Sequence, residues 1–300
     1  MQKQLQSKLV VLDFFKKLFY KSKFKNGGFL VFNKPRGRSS AFWVRYYKRI
    51  TSYKVGHFGT LDPAASGLLV IVFGQATKFL QYFKSERRSY EFVLRFGIET
   101  DSADLEGKVL KESDKRPLRK EIESVLPKFK GNIQQAPPRF SAIKIKGVRA
   151  YKLARDEVEF EMKKRDAYVE QLHLLSFDGN EAKFFVECSS GFYIRSLGCD
   201  IAQALGCLGV LASIKRISHF PFDLKDNKKF FNLNMFLGLY ENLPLSKLQE
   251  KRIRNGLKVD YKASDGIYSA FRKKYFFFKK FLGIIEVKGA VLFSKRMIKH

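Results

Sequence analysis

Asp62 is the residue in this chain best placed to do chemistry. It closes the run Gly56-His-Phe-Gly-Thr-Leu-Asp62 and is followed by Pro63. A proline disfavours the helical region for the residue before it, which pushes Asp62 to extended geometry. Gly56 and Gly59 let the backbone bend tightly or approach a ligand closely. A loop of this kind presents a carboxylate outward to a substrate, where it can act as a nucleophile or as an electrostatic partner. Taken alone, an Asp-Pro is also an ordinary turn, so its surroundings decide the reading. Asp101 and Asp104 make a second carboxylate pair. These two read as loop and strand-end groups that bond backbone amides or arginines. His173, His219 and His300 have no clustered partners, and Cys188, Cys199 and Cys207 lack CxxC spacing. Neither a metal site nor a disulfide framework is suggested, and a reducing cytoplasm fits. A phosphate-cradling glycine loop is also missing.

The elements around this loop follow from pattern. A strand-like run, Gly28–Phe32, leads into the turn Asn33-Lys-Pro-Arg-Gly37. Ser39 or Ser40 then caps a helix with Phe42, Tyr46 and Ile50 on one face. Lys34-Pro35 reads as a packing and loop element. An apolar strand over 68–73 follows the Asp62 loop, then a helix with Phe79 and Phe83 at four-residue spacing, then a strand over 89–96. Pro117 opens a helix with Leu118, Ile122 and Val125 or Leu126 inward. Strands around 167–177 and 182–188 flank the hairpin turn Asp178-Gly179-Asn180. A long helix carries Ile194, Leu197, Ile201 and Leu205 on one face and stops near Gly206. Helices and strands do not alternate strictly, so the fold class is α+β with a substantially antiparallel sheet. After Pro221 the character changes, and strand-like pieces at 267–271 and 281–287 suggest a small, mostly β domain.

The charge is the loudest composition signal: 58 Lys and Arg against 29 Asp and Glu, a formal net charge of +29. It is concentrated at the two ends. Residues 1–60 carry 14 basic groups against the single acid Asp13, and residues 220–300 carry 18 against 7. Nucleic acid is the default partner of such a protein, and two basic ends suit two contact zones on one long polyanion. With 45% hydrophobic residues, the chain can build a real core. No apolar run reaches membrane-spanning length. The N-terminal stretch Leu9–Tyr20 is apolar and basic but is broken by Lys16 and Lys17 and has no small-residue cleavage site, so it is not a signal peptide. It could be a basic amphipathic helix, a flexible tail, or upstream sequence from a misplaced start.

Six segments in order give a resemblance to a known family: Asn33–Ser40; Gly56–Pro63; Gly74-Gln-Ala-Thr-Lys-Phe79; Tyr90 with Gly97 and Thr100–Gly107; Gln135–Lys144 running on to Gly147–Tyr151; and Cys188-Ser-Ser-Gly-Phe-Tyr-Ile-Arg195. Over Gly28–Phe222 the chain resembles the bacterial tRNA pseudouridine synthases of the TruB type. Phe281–Val287 resembles the end of the small RNA-binding domain (PUA type) that often follows. The resemblance implies a pseudouridine synthase fold, with a largely antiparallel mixed sheet flanked by helices and a small mostly β C-terminal domain. The implied division is a basic extension over 1–26, a catalytic domain over 27–222 and an RNA-binding region over 223–300.

The implied reaction is isomerisation of the T-loop uridine at tRNA position 55, with no cofactor, no required protein partner, no membrane and a monomer as default. Asp62 is then the catalytic carboxylate and Arg195 its ion-pair partner, offsetting a burial that would otherwise raise the Asp62 pKa. Tyr90 stacks on the uracil and can help with the C5 proton. Tyr193 lines the same pocket, Ile214 supplies an apolar wall, and His57 fills the space left by a flipped base. Without the resemblance, Arg195 reads as a surface helix arginine and Tyr90 as a strand aromatic. Phe58 departs from the family, which has a small residue there, and is expected to alter how RNA sits over the loop. Asp156-Glu157 and Ala64–Gly67 are further departures. Two rivals remain. One is a non-catalytic RNA-binding or tRNA-folding protein on the same scaffold; the other is a guide-dependent relative that needs partner subunits.

Overall fold

The computed structural model describes residues 27–83, 87–141, 143–274 and 278–299. The basic extension over 1–26 and His300 lie outside the described residues. Among these, ten strands form one mixed sheet and five more, near the C-terminus, form a second. The large sheet is built around Ser66–Phe73, Gly209–His219 and Arg88–Phe96. The first two run parallel, with Lys215 opposite Ser66 and Arg216 opposite Gly67, while the other pairings in this sheet are antiparallel.

Ser66–Phe73 reads as an unbroken apolar run because both of its faces are covered. Leu68, Val70 and Val72 pack with Phe29, Phe79, Phe83 and Phe236. Leu69, Ile71 and Phe73 pack under the helix Ser40–Thr51, through Tyr47 and Ile50. The side chain of Ser39 caps that helix, accepting from the Phe42 amide. Its inward stripe is set by Tyr47 and Ile50, whereas Phe42 and Tyr46 are half-buried. In Arg88–Phe96 the alternation is clean: Tyr90, Phe92, Leu94 and Phe96 share one face with Phe184, Val186, Leu197 and Ile201, the period of two that a pleat imposes. The helix Ile194–Ala204 closes that face, and Gly206, at φ +61°, ends it.

Two expected elements differ. Phe79 and Phe83 are buried as expected, but they sit beside two 3-10 turns, Gly74–Lys78 and Leu80–Tyr82. Gly74, at φ +55°, starts this segment in a left-handed conformation that no α-helix continues. The helix after Pro117 begins at Arg119, with Leu118 as its cap and exposed. A cap residue lies outside the helical repeat, so Leu118 does not follow the stripe of Ile122 and Val125.

The change of character at Pro221 is not the edge of the large sheet. Phe230–Asn232 pairs with Gly28–Leu30, and Leu233, Phe236 and Tyr240 fill the core around Phe29 and Phe83. The second sheet follows, with Gly266–Lys274 and Phe278–Lys288 antiparallel and Val291–Met297 beside them. Among the described residues, no helix is long and apolar enough to cross a membrane.

Candidate active site

Asp62 sits on the loop joining Val55–Phe58 to Ser66–Phe73, and the loop is tied down at every turn. Ser40 Oγ donates to the Leu61 carbonyl at 2.9 Å and accepts the Leu61 amide at 2.8 Å. Arg216 is fully buried, and its three guanidinium nitrogens donate to the carbonyls of Gly59, Thr60 and Leu68 at 2.8–3.2 Å. Lys34, also fully buried, donates from Nζ to the carbonyls of Pro35, Arg38 and Pro63. Burial pushes the Lys34 ammonium down to about 8, against the raising influence of Asp62. Gly59 has φ +75°, and a Cβ there would stand 2.7 Å from His219 Cε1. The loop is therefore rigid before any substrate arrives, which is what positioning a reactive group requires.

The carboxylate meets Arg195, the second residue of the helix Ile194–Ala204. Arg195 Nη2 donates to Asp62 Oδ2 at 2.9 Å and to the Phe140 carbonyl at 2.8 Å, while Nη1 donates to the Ser102 carbonyl at 3.1 Å. The burial is the reverse of the expected one. The Arg195 side chain is 8% exposed and that of Asp62 is 49% exposed. The guanidinium is the desolvated partner, compensated by carbonyls, and the carboxylate stays open to an incoming ligand. Asp104 lies 3.8 Å from Arg195 Nη1 and accepts the Ser102 hydroxyl and the Glu106 amide. Asp101 accepts the Lys108 amide. Asp104 thus binds a loop amide and faces an arginine, and Asp101 binds a loop amide; among the described residues no cluster of three or more metal-ligating side chains exists.

Asp62, Tyr90, Tyr193, Arg195 and Ile214 line one cleft of about 290 Å³, together with Arg88, Ser141 and Phe192. A second cleft, of about 510 Å³, shares Asp62, Ser141 and Arg195 and is walled by Asp104, Tyr151 and Arg155. The Asp62–Arg195 pair thus lines both clefts. Tyr90 is buried on its strand. Tyr193 is held through its backbone, since Gln135 accepts its amide at 2.8 Å and donates to its carbonyl at 3.0 Å. Burial raises the Tyr193 pKa, so the phenol stays protonated at neutral pH.

His57 is not part of this lining. It lies on Val55–Phe58, half-buried and opposite Ile71, and burial followed by Arg216 lowers its pKa. A neutral imidazole there fits an aromatic wedge better than a proton carrier. Phe58 points into the core, stacked between Phe83 and His219 with centroids 4.8 and 4.0 Å away. Its departure from the family thus falls on a buried, packed ring.

Arg88, Ser40, Arg216 and Gln135 are the contributors that the sequence reading missed. Their partners lie between 21 and 157 positions away, and no local periodicity marks them. A larger cleft, of about 810 Å³, lies at the far end of the Ile194–Ala204 helix and includes Cys199 and Cys207. Burial raises both thiols, Cys199 to about 11, so neither is an activated nucleophile.

The family described as TruB family pseudouridylate synthase (N terminal domain) matches residues 47–194. A Brucella ovis protein named tRNA pseudouridine synthase B is 44% identical over 201 residues, 66% of this chain. The chain spans 62% of the length of that relative. A Francisella philomiragia protein of the same name is 36% identical over 295 residues, 92% of this chain and 96% of its own. The crystal structure of a Cbf5–Nop10–Gar1 complex shares the fold, with a TM-score of 0.65 at 20% identity, covering 91% of this chain and 85% of that one. With a relative 36% identical over 92% of this chain and 96% of its own length, the chain belongs to the TruB family of pseudouridylate synthases.

Proposed function

We propose that the protein converts uridine to pseudouridine in the T loop of tRNA, at position 55, with Asp62 as the catalytic carboxylate. The observation that carries this reading is the 2.9 Å pair between buried Arg195 and half-exposed Asp62, set in a cleft walled by two tyrosines and Ile214. The reaction breaks the N1–C1′ bond, turns the uracil and joins C5 to C1′; the proton leaves C5 and N1 gains one. Atoms and electrons balance within the substrate, so no cofactor is required. The Asp62 carboxylate serves as nucleophile toward the sugar or the uracil ring, and Arg195 orients it through the 2.9 Å hydrogen bond. Tyr90 and Tyr193 hold the detached base against the Ile214 wall. His57 takes the place that the base vacates in the stack, which offsets part of a cost of a few kcal/mol for unstacking.

The basic surface supplies phosphate contacts that give affinity without reading sequence. The reading takes the protein to work as a monomer without accessory subunits. Purified protein incubated with an unmodified tRNA transcript is expected to yield pseudouridine at the T-loop uridine alone. Binding without product would favour a non-catalytic RNA-binding or folding protein, and product only with added subunits would favour a guided one.

A further inference from the structure

Arg216 is fully buried and stays outside the lining of the reactive cleft. It lies on the strand Gly209–His219, opposite Tyr90 on one side and opposite Gly67, just past the Asp62 loop, on the other. Its guanidinium nitrogens donate to the carbonyls of Gly59, Thr60 and Leu68, which bracket Asp62 in the chain. Each Nη carries a second hydrogen. The Tyr90 phenol meets the same guanidinium, electrostatically and through a side-chain hydrogen bond. One side chain thus holds the backbone around Asp62 and also the phenol that lines the cleft beside it. Carbonyls alone do not explain why that side chain is a cation. A buried charge without an ionic partner costs several kcal/mol, and neutral donors also bind carbonyls. Among the described residues no carboxylate pairs with Arg216, and the charges that it feels or acts on include Arg88 and Lys34, both cationic. The charge has a use where the oxygen that it faces turns negative, and that oxygen belongs to Tyr90.

We propose that Arg216 is a positioning residue: it ties the Tyr90 phenol to the Asp62 loop and supplies the counter-charge when that oxygen takes the proton from C5. This rests on the pseudouridine synthase reading above. In that step the C5–H bond breaks and its electron pair forms the C5–C6 double bond. The π pair of the N1–C6 bond moves to N1, which takes a proton from water. The phenol oxygen, having released its own proton to water, carries away the one from C5. An oxygen that is charged for this moment is favoured by a cation fixed beside it. Because Arg216 also grips the backbone on both sides of Asp62, the carboxylate and the phenol are held in one frame around the bound base.

Two measurements test it. In protein carrying isotope-labelled arginine, the Nη–H signals of Arg216 are followed by NMR in the wild type and in Tyr90→Phe, with thermal melting as the control for folding. Loss of the phenol oxygen is expected to shift those signals and to speed exchange of an Nη–H, while the Nε–H that donates to Leu68 keeps its protection. Signals that do not respond to Tyr90→Phe would overturn the tie. This measurement needs no Arg216 variant, so it reads the tie even where Arg216→Lys fails to fold. The second compares unmodified tRNA transcripts with and without deuterium at C5 of uridine. Arg216→Lys keeps a buried charge but cannot span both partners. It is expected to lower kcat roughly tenfold to a hundredfold with KM little changed, and to raise the C5-deuterium isotope effect above that of the wild type. In a Tyr90→Phe background the same substitution should cost far less. Ser40→Ala, which frees Leu61 of the loop, should lower kcat without moving the isotope effect. An Arg216→Lys isotope effect equal to that of the wild type, or a loss that adds in full to that of Tyr90→Phe, would overturn the proposal and leave Arg216 a strut for the loop. A wild type that forms no pseudouridine but shows the Tyr90-dependent signals would overturn the reaction and leave the tie standing.

Discussion

At the residue scale, the site works by an inverted division of burial. Arg195 is taken out of water and its burial is offset by the carbonyls of Ser102 and Phe140, while Asp62 stays at a solvent-open rim. The pairing of Asp62 with Arg195 was legible through short local motifs together with the family resemblance that they carry. Asp62 is marked by its glycines and Pro63, and Arg195 by the Gly-Phe-Tyr-Ile run before it. Of the residues that hold them in place, Lys34 reads as a packing and loop element and serves as one, whereas Arg216 was not legible, since it acts through carbonyls that any residue could supply. His219 yields a prediction of its own. Its folded pKa of about 2 lies far below the ordinary 6.5, so below pH 6.5 the unfolded chain binds a proton that the folded chain refuses. The stability is fully present above 6.5 and falls as pH drops, by about 1.4 kcal/mol per unit. Urea unfolding at pH 7 and pH 5 should show the wild type losing about 2 kcal/mol more than His219→Phe. Equal losses would mean that the imidazole is protonated in the fold.

At the scale of elements, the Asp62 loop is a bend held between two strands and beside the start of a helix. The strand alternation at 88–96, the double-sided run at 68–73 and the helix over 194–204 were all readable, because periodicity follows directly from which face is covered. The 3-10 turns at 74–82 were not. Phe79 and Phe83 share the four-residue spacing of a helix, but Gly74 starts the segment in a conformation that spacing cannot express. Gly59 has the same kind of constraint at the site itself. Its φ of +75° and the 2.7 Å approach to His219 leave no room for a methyl group. Gly59→Ala is expected to cost roughly 1–3 kcal/mol in stability and to lower kcat more than it raises KM, as thermal melting and steady-state kinetics would read. Unchanged kinetics would mean that the loop adjusts freely and that its clamps are incidental.

At the scale of the whole molecule, the two basic ends of the sequence fit a polyanion, while the core crosses the apparent boundary at Pro221. The composition shift there was legible, but the strand Phe230–Asn232 was not. Three residues carry no periodicity, and their role is defined only by Gly28–Leu30, some two hundred positions earlier. A chain ended at Phe222 would lose Leu233, Phe236 and Tyr240 from the cluster around Phe29, Phe79 and Phe83. That removes roughly 5 kcal/mol or more of apolar burial, comparable with the whole stability of many domains. Such a truncation is expected to lose its cooperative thermal transition by circular dichroism. A sharp melt near that of the full chain would show that the core before Phe222 stands alone.

The account turns on one carboxylate, and Asp62→Asn tests it most directly. The amide keeps the shape of the side chain and can still meet Arg195 through its oxygen, but it carries no charge and is a poor nucleophile. Pseudouridine mapping on an unmodified tRNA transcript, wild type beside Asp62→Asn, should give product at the T-loop uridine with the wild type only. Both proteins should bind the tRNA with comparable affinity. Product formed by the variant at a rate near that of the wild type would contradict the account, because the chemistry would then come from a group other than Asp62.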